Sequence, residues 1–531
     1  MYPKDDDNNI ILESGKTFPE SMIWKLQKQY YCDNGIYAWQ AVPSEPTSSP
    51  FIGNSYAQIC VAFIKDVIAQ NKNAMKHPFY IMELGSGSGR FSFYFIKRIH
   101  ELLALSDLAD IKIRFIMTDI AKKNIEFYKS HPRFEPYIKS GVLDFASFEL
   151  ESTDPINLQI ADCELTKEML VNPLITVGNY IFDTCSHEAL SVSNKKIRQV
   201  LIDLLCRPDN LENGRVKSIE KLYISMHPSE KIGYQSNDET VNKIIDLYVN
   251  KLQSGSILLL PIGSFNIISR LKDLSSNKML LLTTDKGYAK IEAMPTRPPQ
   301  LAVHGDGCFS MMVNFHALKL FFELNGGDSH IEQQVFYLLT TAAYTFGYQF
   351  SQLPNTNSAI SSYIDLTSPG KYHSNMKHIW DDFKNYDALT IADLIVNSHY
   401  DPRFFSYISD RLMEIHAKSD KVTLEFIESL IQQLADNYYY LPYPDQTIFN
   451  IAFYCKFIGK IDDAIKYYHQ ALHDNQDENQ AYYIYHNLGY CYKEKKMYPE
   501  AINHFKHALK LKPDCFTCQD ELNQLAFLSL E

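Results

Sequence analysis

FYIMELGSGSGRFSFYFIKRI, residues 79–99, sets three glycines at alternate positions, Gly85, Gly87 and Gly89, between a run that reads as a buried strand and one that reads as a helix. A strand that ends in a glycine turn and opens a helix presents unpaired amide groups at the helix N-terminus. A ligand can approach them because no β-carbon stands in the way. Outward from this stretch, short apolar runs alternate with helical patterns: FYIMEL, IKIRFIMT, VLDF, PLITVGNYIF, SILLLPI and KMLLLTT. That alternation predicts an α/β fold with a mostly parallel sheet and helices on both faces.

The glycines do not fit the dinucleotide pattern G-x-G-x-x-G, because Arg90 stands at the sixth position and the third glycine comes one residue early. No Gly-Lys-Ser/Thr follows, so the P-loop pattern fails as well. E-x-G-x-G-x-G after an apolar strand resembles the first motif of class I S-adenosylmethionine-dependent methyltransferases. The resemblance implies a Rossmann-like fold with S-adenosyl-L-methionine (SAM) as cofactor. Gly85, Gly87 and Gly89 would bend the chain under its methionine part, and Glu83 would help to position it. The next strand ends at Asp119, 34 residues after Gly85, where a carboxylate can accept both ribose hydroxyl hydrogens. GVLDFASFEL then offers Asp144 to hydrogen-bond adenine and Phe145 to pack on it; for Asp144 a turn or helix-cap role is the alternative.

PLITVGNYIFDTCSHEALSVSNKKIRQVLIDL, with NKMLLLTTDKGYAK and HGDGCFSMMVNFHALKLFFELNGG, carries a second resemblance, to the MidA-like methyltransferases. Their Asn-Glu-x-x-Asp-x-x-Pro motif is matched by Asn179 and Asp183, while Tyr180 replaces the Glu and the Pro is absent. Their Asp-Tyr-Gly is read here as Asp285, Lys286 and Gly287. The resemblance covers roughly residues 80–325. It implies methyl transfer to a protein side-chain nitrogen of the arginine type, with Asn179 at the cofactor. Asp183 would orient or deprotonate the acceptor, and Tyr180 would wall the site. A helix N-cap is the alternative for Asp183. His187 and Glu188 are reserve bases that an exposed helix face would also explain.

Near the C-terminus, AYYIYHNLGYCYKEKKMYPEAINHFKHALKLKPD places Tyr485, Leu488, Gly489, Tyr492, Ala501, Phe505, Ala508 and Pro513 at the spacings of the ~34-residue tetratricopeptide (TPR) pattern. A degenerate unit precedes it from about Gln446 to Glu478. Stacked helix pairs of this kind build a concave surface, which suits a protein or peptide partner. Padding of the main domain by these helices is the alternative. Cys515 and Cys518 follow the repeat's proline and read as packing in a capping helix, with no metal site expected.

With 531 residues the chain is expected to hold a helical lid region at 1–75, a methyltransferase domain at 76–325, a helical connection at 326–440 and repeats at 441–531. A polar stretch at about 207–240 is a candidate for substrate selection. The 51 basic against 63 acidic side chains, net charge -12, argue against nucleic acid or anionic lipid as partners. Ten scattered cysteines point to a reducing compartment, and neither a targeting segment nor an apolar run of roughly 20 residues is seen, so a cytoplasmic protein is expected. Three functional readings stay open: a protein methyltransferase whose repeats recruit the substrate, a repeat adaptor on an inert methyltransferase-like fold, and a small-molecule methyltransferase whose repeats serve a homodimer.

Overall fold

The computed structural model describes residues 9–42, 45–294, 301–305, 307–333, 339–474 and 477–528. The acid-rich opening, the tip of the break at 43–44 and the start of VFYLLTTAAYTF lie outside them. The chain divides into two compact units, residues 1–48 with 52–375 and residues 49–51 with 376–531.

The first unit is built on a sheet of β1 (Phe79–Glu83), β2 (Ile113–Asp119), β3 (Leu143–Ser147), β4 (Leu174–Asn179), β5 (Met279–Tyr288), β6 (Asp328–Ile331) and β7 (Leu339–Phe346). Its spatial order is β6-β7-β5-β4-β1-β2-β3, with the short strand Val313–Asn314 alongside β5. Strands β1 to β5 run parallel, whereas β7 is antiparallel to β5 and β6 antiparallel to β7. In register, Ile81 of β1 faces Phe115 of β2 and Ile175 of β4. All five residues of β1 and all eight of β7 are buried, as expected of strands covered on both faces. This is the Rossmann-like α/β arrangement expected from the alternation. The chain leaves β1 toward β2 and β3 on one side, then returns to β4 and β5 on the other, so the strand order reverses between β1 and β4. At such a reversal the two crossovers lie on opposite faces and leave a crevice at the carboxyl ends of the strands.

Three readings of the sequence need correction. SILLLPI is not a strand of this sheet: Ile257–Leu260 pairs antiparallel with Glu188–Ser193 in a second sheet that also holds Lys196–Cys206 and Leu222–Pro228. A buried apolar run carries no mark of the sheet it joins. The region 1–75 is not only helical, because Ile10–Thr17 pairs with Lys196–Cys206, and Phe18 and Ile23 pack into the second sheet's core with Val200, Ile202 and Leu204. Leu222–Pro228, within the polar stretch at 207–240, is a further strand of that sheet and leaves the reading of that stretch untouched. The region 326–440 is not wholly helical: β6 and β7 belong to the central sheet, and the unit boundary falls at 375/376. In β7, LTTAAYTF is buried on both faces and so shows no period-2 alternation. Its hydroxyls are paired inside, Thr341 Oγ1 at 2.8 Å from Thr284 Oγ1 and Thr345 Oγ1 donating to Tyr348 O at 2.8 Å.

Among the described residues the regular structure of the second unit is all helical. The pairs Pro402–His416 with Lys421–Asp436, Thr447–Phe457 with Ile461–Asp474, and Glu478–Glu494 with Tyr498–Leu511 follow one another before a last helix, Phe516–Leu528. Small residues allow close approach: a β-carbon on Gly489 would lie 2.6 Å from the ring of Phe505. Among the described residues no helix is long and apolar enough to cross a membrane.

Candidate functional site

Glu83 ends β1, and Leu84 leads into Gly85-Ser86-Gly87-Ser88-Gly89 before helix α1 of this motif (Arg90–Ala104). The three glycines have φ of +65°, +58° and +76°, which L side chains rarely adopt. Space is a second constraint: a β-carbon on Gly85 would lie 2.5 Å from Ile181 Cδ1, and one on Gly87 2.5 Å from Trp39 Cζ2. The loop's amides do not stand free as the sequence suggested. Gly85 N donates to Thr118 Oγ1 at 3.2 Å, Ser86 N to Thr118 O at 2.6 Å and Gly87 N to Asp119 Oδ2 at 3.0 Å. The end of β2 supplies acceptors that the loop folds back to meet, so the bare backbone here makes room under Ile181 and Trp39.

Asp119 is buried, and its Oδ1 accepts from Ala121 N at 2.8 Å. The Tyr128 hydroxyl sits between Gly87 O at 2.5 Å and Asp119 Oδ2 at 3.1 Å. Burial pushes the Asp119 carboxyl up, and these donors pull it back. Glu83 lies behind the loop, where it accepts from Ser92 Oγ, and burial pushes it up to about 7.

A cavity of about 390 Å³ opens over the carboxyl ends of the strands, at the β1/β4 reversal. Gly85 and Asp119 line it, with Tyr180 and Ile181 from the end of β4, and Ile120 and Phe148 from beyond β2 and β3. Helix Ile23–Asn34 supplies Trp24, Gln27, Lys28 and Tyr31, spaced i, i+3, i+4 and i+7 along one face. A smaller cavity of about 240 Å³ shares Lys28, Ile120, Phe148 and Glu149 with it and adds Arg270, whose guanidinium lies 4.7 Å above the Phe148 ring. Between them Lys28 Nζ pairs with Glu149 Oε1 at 2.5 Å.

Three polar side chains that line the larger cavity have buried atoms without a partner: both amide atoms of Gln27, Trp39 Nε1 and Asn124 Oδ1. Gln27 is only 3 % exposed. A buried amide with neither donor nor acceptor used costs free energy that a bound polar ligand would recover.

The other expected residues fall in three places. Tyr180 lines the cavity with φ +52°, its N donating to Thr284 O at 3.0 Å. For a bulky side chain that conformation is strained, and such strain concentrates at functional sites. Asn179 lies behind it, its Oδ1 accepting from Tyr56 OH at 2.9 Å and Thr284 N at 3.1 Å, with Nδ2 buried and unpartnered. Asp183 sits beneath the cavity wall in the turn Phe182–Thr184. Its N donates to Asp285 Oδ2 at 3.0 Å and its Oδ1 has no partner. The two buried carboxyls face one another, so burial and mutual repulsion hold a proton on the pair above the ordinary carboxylate range. Tyr31, on the cavity face of its helix, is raised by burial first and further by its neighbours Cys308, to which it bonds, and Asp183.

Asp144 and Phe145 are placed elsewhere. Asp144 staples the following loop, Oδ1 accepting from Ile160 N at 2.8 Å and Oδ2 from Ala161 N at 2.9 Å. Phe145 is fully buried against Tyr128, and Phe148 is the ring that faces the cavity. His187 and Glu188 are not on an exposed helix face. His187 is wholly buried, stacks on Trp24 and is pushed down to about 4, while Glu188 opens a strand of the second sheet. The helix face at 24, 27, 28 and 31, together with Trp39, Ile120 and Phe148, escaped the sequence reading. The i, i+3, i+4, i+7 spacing was there to be found, but it does not distinguish a ligand wall from a core face.

The TPR family matches residues 482–515. Comparison with curated proteins gives no match. Similar solved structures include a COG1565 superfamily protein of Burkholderia thailandensis with bound S-adenosyl-homocysteine, at 10% identity and TM-score 0.39, covering 62% of this chain and 88% of that one. Another is the 1,6-didemethyltoxoflavin-N1-methyltransferase of the same organism with bound 1,6-didemethyltoxoflavin and S-adenosylhomocysteine, at 9% identity and TM-score 0.28, covering 65% and 98%. A third is the DhpI complex with S-adenosylhomocysteine, at 9% and 0.26, covering 61% and 97%.

Proposed function

We propose that the first unit is a SAM-dependent methyltransferase acting on a protein side-chain nitrogen, with the TPR helices recruiting the substrate or partner. The observation that carries this reading is the unpartnered amide of Gln27 in a cavity that also gathers Gly85, Asp119 and Tyr180 at the strand reversal. Glu83 and the three glycines would shape the floor under the methionine end, and Asp119 would face the ribose. Ile120 and Phe148 would sandwich the adenine with Arg270 behind, and Gln27 would pair with a polar edge of the bound cofactor.

Bound SAM supplies the activated methyl group, which passes in line to the acceptor nitrogen as the sulfonium becomes a thioether. The chain aligns that nitrogen and takes its proton. Tyr180, held in its strained conformation, walls the approach, and the Asp183–Asp285 pair is the nearby proton acceptor. An arginine-like acceptor is in keeping with that pair, although Tyr180 offers no second carboxylate to grip a guanidinium. A surface shaped by repeats would raise the local concentration of a tethered substrate. The cysteines, none of them in a disulfide, fit a cytoplasmic, reducing setting.

The test is incubation of the full chain with methyl-labelled SAM and a cell extract, with Tyr180→Ala and Asp183→Asn as comparisons. The reading expects label in discrete proteins, reduced tenfold or more in either variant. Label found only in small molecules would replace the protein acceptor by a small one, and no transfer to any acceptor would leave the adaptor reading.

A further inference from the structure

We propose that the second unit carries a zinc site formed by His486, Cys515 and Cys518. The imidazole nitrogen and the two sulfurs all lie within 4.8 Å of one another. Tetrahedral zinc with ordinary bond lengths needs ligand atoms roughly 3.5–3.8 Å apart, so side-chain adjustments of about an ångström close the site.

The cysteines form a C-x2-C pair where the chain enters the last helix, and His486 comes from helix Glu478–Glu494 of the matched repeat. Both cysteines are buried and neither is in a disulfide. Polar groups surround Cys515 Sγ, as they commonly do a metal-bound thiolate: Cys518 N donates to it at 3.4 Å, and the Thr517 and Tyr482 hydroxyls lie 3.2 and 3.1 Å away. Thr517 Oγ1 also lies 3.3 Å from His486 Nε2, which places that nitrogen at the cluster.

Apolar packing accounts for two buried cysteines beside aromatic rings, but not for the convergence of a third ligating atom from another helix. That third atom is what the sequence conceals, since His486 stands in the middle of a repeat helix far from the C-x2-C pair. Two thiolates and a neutral imidazole suit zinc, and three protein ligands leave the fourth vertex to water. The ion would clasp the last helix to the repeat, adding to the Lys493–Glu521 ion pair that already joins them.

The test is metal analysis of the full chain purified under reducing conditions, followed by cobalt substitution. One zinc per chain is expected, and cobalt should give thiolate charge-transfer and intense tetrahedral d–d bands. Both signals should vanish in Cys518→Ser and weaken in His486→Gln. Cys163→Ser, which removes an exposed cysteine of the first unit, should keep them. Helical circular dichroism checks that each variant is folded, and His486→Gln, which spares both thiols, keeps the test open if the serine variant is not. Zinc well below stoichiometric in the reduced wild type, a cobalt spectrum indifferent to these substitutions, or a native Cys515–Cys518 disulfide would overturn the site.

Discussion

Gly87 shows how much of the site rests on one missing side chain. Alanine there meets a left-handed backbone and the Trp39 ring together, whereas at Gly214, φ +76° with nothing within 4 Å, it meets the backbone alone. Gly214→Ala should therefore cost about 1 kcal/mol and leave ligand binding unchanged. Gly87→Ala should cost more and weaken S-adenosylhomocysteine binding at least tenfold, measured by thermal melts and titration. Protonation gives a second residue-scale expectation. Glu83, ordinarily near 4.5 and raised to about 7, and the Asp183–Asp285 pair hold more protons folded than unfolded. Their contribution to stability is therefore greatest below the unfolded carboxylate range and falls as pH rises through the raised folded values. Asp183→Asn should melt with a shallower decline between about pH 4 and 7 than the wild type, and an unchanged decline would remove the pair from the account. The glycines and Asp119 were legible in the sequence because a strand end and a bare turn leave a local mark. Phe148 and Gln27 were not, because which of two nearby phenylalanines turns inward, and whether an amide finds a partner, are settled by elements distant in sequence.

Helix Ile23–Asn34 is the element that turns an open crevice into a cavity. Its link to the sheet edge, Lys28 with Glu149, is 44% exposed at each side chain, so its loss should change stability by less than about 1 kcal/mol. Because the same pair stands between the two cavities, Lys28→Ala should speed release of bound S-adenosylhomocysteine several-fold in a displacement assay while the melting temperature stays nearly constant. Equal release rates would make the pair a surface contact only. The strands that alternate with helices were read correctly from β1 to β5. β7 was misread because a run buried on both faces has no periodicity to declare, and Ile257–Leu260 was assigned to the wrong sheet because a strand's partner is chosen by packing.

Across the whole chain, the boundary between units lies some fifty residues beyond the one the sequence suggested, because β6 and β7 close the central sheet after the alternation had faded. The repeat was readable because its small residues are steric requirements. Gly489→Leu drives a side chain into Phe505 and should lower the melting of the helical unit by several degrees while S-adenosylhomocysteine binding by the first unit persists. Loss of both together would show that the two units do not behave independently. The central claim is that the cavity at the strand reversal takes SAM, and calorimetric titration of the full chain with SAM tests it most directly. The account predicts one saturable site per chain, abolished by Gly87→Arg, whose side chain would fill the space under Trp39. A folded wild-type chain that gives neither binding heat nor thermal stabilisation with SAM or S-adenosylhomocysteine would contradict it.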